Sequence, residues 1–396
     1  MQLNDKSNDR LPVPEPASRE HSRRVADHLK TLIRDGGGSI SFGEFMQHAL
    51  YAPGLGYYAA GTQKFGGDGD FVTAPERSAI FGNVLARQIA PLLTQQDRGD
   101  VLELGPGSGA LPVQLLRKLE ELGALPSTYQ ILEVSADLGE RQQRHIAAEL
   151  PHLLSRVEWI DCLPESFNGV VVANEVADAL PVERFARTRT GVDQLRVTAD
   201  GEEFRWCRAD APEWLTASVA RIEADLGQRL PDGYVSELSP GLRGWIDDLA
   251  GCLAAGYLFL FDYGVARHEY YAADRNGGWL RCHFRHRAHN DALIWPGIQD
   301  LTAWVDFTGV AEAGTGAGLK LEAYVSQAHF LMHGGLSEEL AGLEHADAAT
   351  RLQLSSEVKL LTLPGEMGEN FKCMAFSRGN VAALDRLAAA DRSHAL

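Results

Sequence analysis

The stretch LELGPGSG at 102–109 places Gly105, Gly107 and Gly109 two residues apart, after a strand-like run that holds an acid, Glu103. Glycine is required where a ligand passes so close to the backbone that no Cβ is tolerated. The third glycine comes one residue too early for the dinucleotide fingerprint, and no Lys-Ser/Thr pair follows as in a P-loop. The turn is therefore expected to hold a ligand that does not depend on a bound phosphate. Acids then recur at the ends of apolar, β-branched runs: Glu133, Asp161 and the pair Asn174-Glu175. A carboxylate about 20 residues past such a turn suits a ribose diol, whose two hydroxyls both donate to it. Asp161 is placed to accept from the exocyclic amino group of a base.

These residues need a scaffold, and the text around them describes one. From residue 101 strand-like and helix-like runs alternate: VLEL, GALPVQLLRKLEEL, YQILEVS, DLGERQQRHIAAELPHLL, VEWID and GVVVANEV. Alternation of this kind, with strands apolar on both faces, predicts an α/β fold with a buried parallel sheet. Ligands of such sheets sit at the carboxyl ends of the strands. The rhythm breaks at 183–240, where polar and apolar residues alternate around Gly turns; this region reads as an inserted α+β unit. The strand YLFLFDYG and two late strands, LKLEAYVS and FKCMAFSR, complete the sheet. Residues 1–17 read as a loose lead, 18–95 as a helical cap with a cofactor loop, and 96–182 with 241–396 as the core.

Composition narrows the class. The chain has 396 residues, 45% hydrophobic, and a net charge of −17. A large core is affordable, and the acidic surface argues against non-specific binding to nucleic acid or membranes. Five scattered cysteines without a CxxC pair fit a reducing compartment. The greasiest run, LAGCLAAGYLFLF, falls short of the ~20 residues a membrane span needs. The first residues mix acids with bases and lack an apolar segment, so a cytoplasmic protein is expected. The cluster CHFRHRAHND tempts a metal reading through Cys282, His283, His286 and His289. It lacks paired knuckles and carries intervening arginines, so no metal is expected and it reads as a basic surface loop facing substrate.

Three acid-ended strands after a G-x-G-x-G turn resemble the nucleoside half of a class I S-adenosylmethionine-dependent methyltransferase. GDFVTAPERSAIFG (69–82), LELGPGSG, ANEVADALPVERF (173–185), FDYG (261–264), HRAHNDALIWPGIQDLTAWVDFT (286–308) and MGENFKCMAF (367–376) are similar to the MidA-like methyltransferase family. That family includes a mitochondrial arginine methyltransferase assisting respiratory complex I assembly. The resemblance implies a Rossmann-like, seven-stranded, mostly parallel sheet with an N-terminal helical extension and the inserted region. It also implies S-adenosyl-L-methionine as cofactor and a protein substrate, with a respiratory-chain subunit as one candidate. RNA or small-molecule methylation, or a non-catalytic cofactor-binding role, are the alternatives the same residues leave open.

Methyl transfer from a sulfonium is an in-line displacement, so the protein must align a nucleophile and remove a proton. Paired carboxylates grip a guanidinium in a fork, and one of them later takes the proton. NEVADALP supplies Glu175 and Asp178 for that clamp, on one face of a helical turn, with Asn174 orienting the acceptor or contacting the cofactor. TAPERS supplies Thr73, Pro75, Glu76 and Ser78 near the methionine end of the cofactor, Glu76 for its ammonium. Tyr263, His286 and Arg287 are expected on the substrate side. Gln299 and Asp300 read as a turn and helix cap.

Overall fold

The run Phe167–Asn174 explains the architecture. Its residues from Gly169 to Ala173 are buried without alternation, so both faces of the strand must be covered. In the computed structural model, which describes residues 11–60, 73–95, 99–341, 345 and 347–396, it lies near the middle of the central sheet. The order across the sheet is Lys320–Ser326, Phe371–Arg378, Leu253–Val265, Phe167–Asn174, Asp100–Leu104, Tyr129–Leu132 and Val157–Ile160. The last five are parallel; Phe371–Arg378 runs antiparallel to both its neighbours. The two-residue strand Val305–Asp306 pairs with the far end of Leu253–Val265. Residues 1–10 of the expected lead, and the glycine-rich stretch at 65–72, lie outside the described residues.

One apolar core packs helices Ala79–Gln95 and Ala110–Glu121 on one face of the sheet; a second packs Leu242–Cys252 and Phe307–Gly316 on the other. The chain builds outward from Asp100–Leu104 and returns to Phe167–Asn174 on its other side, so strand order reverses between these two. That switch point opens a crevice at their carboxyl ends.

The inserted text forms an antiparallel sheet in the order Val192–Asp200, Glu183–Arg187, Val235–Leu238, with Glu203–Asp210 on its outer edge. Its other partner is Ile40–Ser41, so the N-terminal cap and the insertion share one sheet. Ser41 ends the strand and caps helix Phe42–Tyr51, accepting from Glu44 N.

Two expectations are corrected. CHFRHRAHND is a hairpin, Leu280–Phe284 with Arg287–His289, with Arg285 and His286 at positive φ of 49° and 61° in its turn. Asp300 opens a buried third strand, Asp300–Ala303, and Gln299 donates to the carbonyls of Ala292 and Ile294 rather than capping a helix. Cys282 faces the core of the cap, among Val25, Leu29 and Phe42.

Candidate active site

The crevice encloses about 1070 Å³ of empty space, open solvent included. The Gly105–Ser108 turn forms part of its wall, and Gly105, Gly107 and Gly109 all have positive φ, at 55°, 58° and 81°. Such a backbone path favours glycine at each step. Gly109 also caps helix Ala110–Glu121. Apolar side chains from Leu104, Leu111, Leu132 and Leu138 line the crevice together with four carboxylates: Glu76, Glu103, Glu133 and Glu175. No Lys, Arg or His is among its described lining residues. An acid-lined, cation-free crevice suits a cationic ligand and would repel a pyrophosphate.

Glu133 is held at the end of its strand. One carboxylate oxygen accepts from Ser135 N at 2.9 Å and the other from Gln142 Nε2 at 2.9 Å. Gln142 is fully buried, donates also to the Gly107 carbonyl at 3.0 Å, and accepts from the Trp159 indole at 3.0 Å. This single amide ties the glycine turn, Glu133 and the third strand together. Glu103, buried beneath the turn, accepts from the Tyr129 hydroxyl; burial pushes its carboxyl up to about 8, against the lowering effect of that bond.

Opposite the turn, Glu175 follows its strand in the left-handed region, φ 54°. Strain of this kind in a non-glycine residue is retained where surrounding structure forces it, commonly at functional sites. The Glu175 N–H donates to the Phe261 carbonyl, which fixes the bend. Its carboxylate accepts from Asn174 Nδ2 at 3.3 Å and from the Ala74 backbone. The next residues form a single 3-10 turn, Ala177–Ala179, rather than an α-helix. Asp262 creates that turn by accepting from the backbone N–H groups of Ala177 and Asp178. Tyr263 OH donates to Asp178 Oδ2 at 2.5 Å, while buried Oδ1 has no partner among the described residues.

Glu175, partly exposed on the crevice wall, and the buried Asp178 and Asp262 thus form an acid cluster. No Lys, Arg or His of the described residues lies within ion-pair distance of any of them. Burial, reinforced by the Asp178 charge, pushes Glu175 up to about 8. Burial also raises Asp178 and Asp262, the latter with help from its two acidic neighbours.

The sequence-selected residues separate into groups. Thr73, Pro75, Glu76, Glu103, Gly105, Gly107, Glu133, Asn174 and Glu175 all line the crevice. Thr73 and Glu76 form a capping box, leaving Glu76 Oε1 buried and without a partner among the described residues. Asp161 stands in an adjoining hollow that shares Glu133 with the crevice. Asp178 and Tyr263 are buried behind the lining. Ser78 does not line the crevice: its hydroxyl donates to Glu357 and accepts from Ile80 N. His286 and Arg287 are exposed at the hairpin turn and do not line the crevice either. Residues not selected are Gln142, Asp262, Tyr51 and Tyr58. The two tyrosines stack at 5.5 Å on the crevice wall, their hydroxyls donating to the Ala179 carbonyl and to Asp300. Their signal in the sequence was two aromatic positions flanking the Pro-Gly turn at 51–58.

Fold and crevice together define a class I S-adenosylmethionine-dependent methyltransferase. Residues 84–325 match the family model described as a putative S-adenosyl-L-methionine-dependent methyltransferase, and the chain belongs to that family. A crystal structure from Burkholderia thailandensis, a likely methyl transferase bound to S-adenosyl-homocysteine, is 41% identical and superposes with a TM-score of 0.91. The match covers 98% of this chain and 100% of that one. The mouse mitochondrial protein arginine methyltransferase NDUFAF7 is 29% identical, covering 91% of this chain and 86% of its own. The zebrafish protein of the same name is 30% identical, covering 92% and 88%. These relatives are named mitochondrial, which overturns the expectation of a cytoplasmic protein. No helix of the described residues is long and apolar enough to cross a membrane.

The enzyme uses S-adenosylmethionine, and the crevice is compatible with it: a glycine turn with room for a close ligand, a braced carboxylate at Glu133, and an acidic, cation-free described lining for a cationic ligand. Gln142→Leu is expected to weaken S-adenosylhomocysteine binding about tenfold, because Glu133 and the turn lose a shared donor. Isothermal calorimetry on folded variant checks this; unchanged affinity would mean that Gln142 supports Trp159 only.

The raised acids make a pH prediction. Glu103 and Glu175, both pushed to about 8, keep protons in the folded state that the unfolded chain releases near its ordinary carboxylate range. The folded state binds more protons between about pH 4.5 and 8, so ligand-free stability falls as pH rises through that window. A bound cation favours the ionised carboxylates and removes part of the loss. Thermal melts from pH 5 to 8.5 should show the gap in Tm between S-adenosylmethionine-bound and free protein widening with pH. A constant gap would contradict the linkage.

Proposed function

We propose that the enzyme methylates arginine side chains on a partner protein. The observation that carries this reading is the cluster of Glu175, Asp178 and Asp262, without a cation among the described residues, at the cofactor crevice. A guanidinium is a planar cation with donors in a fixed fork, and it stays charged at any working pH. Glu175 grips it from the crevice wall, Asp178 adds its negative charge from behind the lining, Asn174 orients the Glu175 carboxylate, and Asp262 holds the turn that positions Asp178. Tyr263 steadies Asp178 through its hydroxyl. S-adenosylmethionine supplies the electrophilic methyl group when bound. Gripping one side of the guanidinium localises its charge and leaves a distal nitrogen to attack; Glu175, with its raised proton affinity, accepts the proton released. The names of the curated relatives support an arginine acceptor, and the family resemblance supports a respiratory-chain subunit as the partner.

The test is transfer of a labelled methyl group into protein followed by acid hydrolysis and amino-acid analysis. Label in methylarginines supports the reading. Label in methyllysine, or in nuclease-sensitive material, sinks it while leaving the methyltransferase intact.

A further inference from the structure

A second cavity, with about 1160 Å³ of empty space, lies against the same 3-10 turn that carries Asp178. Ala177, of that turn, and Val182 are among its lining residues. Helix Glu213–Leu226 of the inserted region forms one wall, with Trp214 and Arg221; helix Leu242–Cys252 forms the other, with Arg243. Trp304 lies in the groove lining, stacked on Trp279 at 4.2 Å and edge-on to Tyr263 at 6.1 Å, and Tyr263 is the donor to Asp178. Two packed aromatic rings, Trp304 and Tyr263, therefore join the groove lining to the acid cluster.

Its lining carries three arginines, Arg221, Arg243 and Arg267, where the described crevice lining has none. Arg221 and Arg243, one on each helix, have side chains 60% exposed and make solvent-exposed ion pairs that a ligand can exchange, Arg221 with Glu312 at 3.1 Å and Arg243 with Asp247 at 3.7 Å. The acids in the lining are already committed: Asp306 and Glu312 both bind Arg267, and Glu312 also meets Arg221. Arg267 further binds Asp225, so one buried guanidinium ties together the inserted helix, the strand end at Asp306 and helix Phe307–Gly316. Walls braced in this way need no rearrangement to receive a ligand, which lowers the cost of binding.

We propose that this groove receives an extended segment of the methyl-acceptor protein, one with acidic residues a few positions from the methylated side chain; this rests on the arginine reading above. The carboxylate cluster takes the cationic side chain, Arg221 and Arg243 pair with the flanking acids, and Trp214 and Trp304 cover apolar side chains between them. Complementary charge of this kind sets register and partner choice more than raw affinity.

The experiment uses the full chain saturated with S-adenosylhomocysteine and three pools of nine-residue peptides carrying a photo-crosslinking benzoylphenylalanine. One pool has a central arginine with glutamates flanking, the second a central arginine with lysines flanking, the third citrulline with glutamates. Cross-links mapped by mass spectrometry are expected on 213–226 and 242–252, at least fivefold more from the glutamate than the lysine pool. The surface variant Trp214→Ala/Arg221→Glu should lose fivefold or more of them with unchanged S-adenosylhomocysteine affinity. Cross-links elsewhere, none at all, or an undiminished yield in the variant would overturn the groove. Equal labelling of the groove by arginine and citrulline pools would instead remove the arginine reading and leave the groove standing.

Discussion

Glu175→Gln is expected to lower kcat by about 10²–10⁴ while S-adenosylhomocysteine binds within a few-fold of wild type. The substitution is nearly isosteric, keeps an acceptor for the Asn174 and Ala74 donors, and is neutral like the protonated form that burial favours in the ligand-free site. Cofactor binding and folding should therefore persist. What disappears is the anion that grips the acceptor and takes its proton, an interaction made most strongly in the transition state. Rates measured by labelled-methyl transfer, with calorimetry on the same preparations, separate the two effects. Near-normal turnover in a variant that binds cofactor normally would remove Glu175 from the chemistry. Asp178→Asn should show a smaller loss, because Tyr263 still donates to the remaining carbonyl.

The second large effect is on folding. Gly169 and Gly256 stand opposite each other in adjacent strands, and Gly169 in turn faces Asp100. Their φ values are 147° and 138°, and a Cβ on Gly169 would overlap the backbone of Asp100, while one on Gly256 would overlap Gly169. Three backbones pass too closely there for any side chain, and none of these atoms is the flexible end of a side chain that might yield. Gly169→Ala should cost about 4 kcal/mol or more, enough to leave the chain largely insoluble or molten. The control is Gly139→Ala: that glycine lies inside helix Ala136–Glu149, and its Cβ would meet only Trp159 at an ordinary 3.6 Å. It should raise stability by about 0.5–1 kcal/mol, read as a higher Tm. If both variants melt like wild type, the close strand approach is not rigid.

Legibility followed the range of the signal. The strands from Asp100 to Asn174, the helices between them and the glycine turn are written in local periodicity, and the structure has them with small shifts at their ends. The Arg285-His286 turn was illegible because two positive-φ positions usually demand Asn or Gly, and neither residue type announces a hairpin. Asp300 looked like a cap by its type; its burial in a third strand depends on Leu280–Phe284 arriving beside it. Ser78 looked like a cofactor contact, but Glu357, 279 positions later, is where its hydroxyl goes.

What the sequence determined alone was the parallel sheet, the non-phosphate character of the turn and the candidate acids, because those rest on neighbours within a few residues. The tertiary structure decided which acids meet. It set Glu175 at the crevice in a left-handed bend, placed Asp178 beside Asp262 across 84 positions, and left the cluster without a cation among the described residues. It also brought Tyr51 and Tyr58 from the cap onto the wall. Charge and burial at such a point are sums over residues distant in the chain, so only folding assembles them.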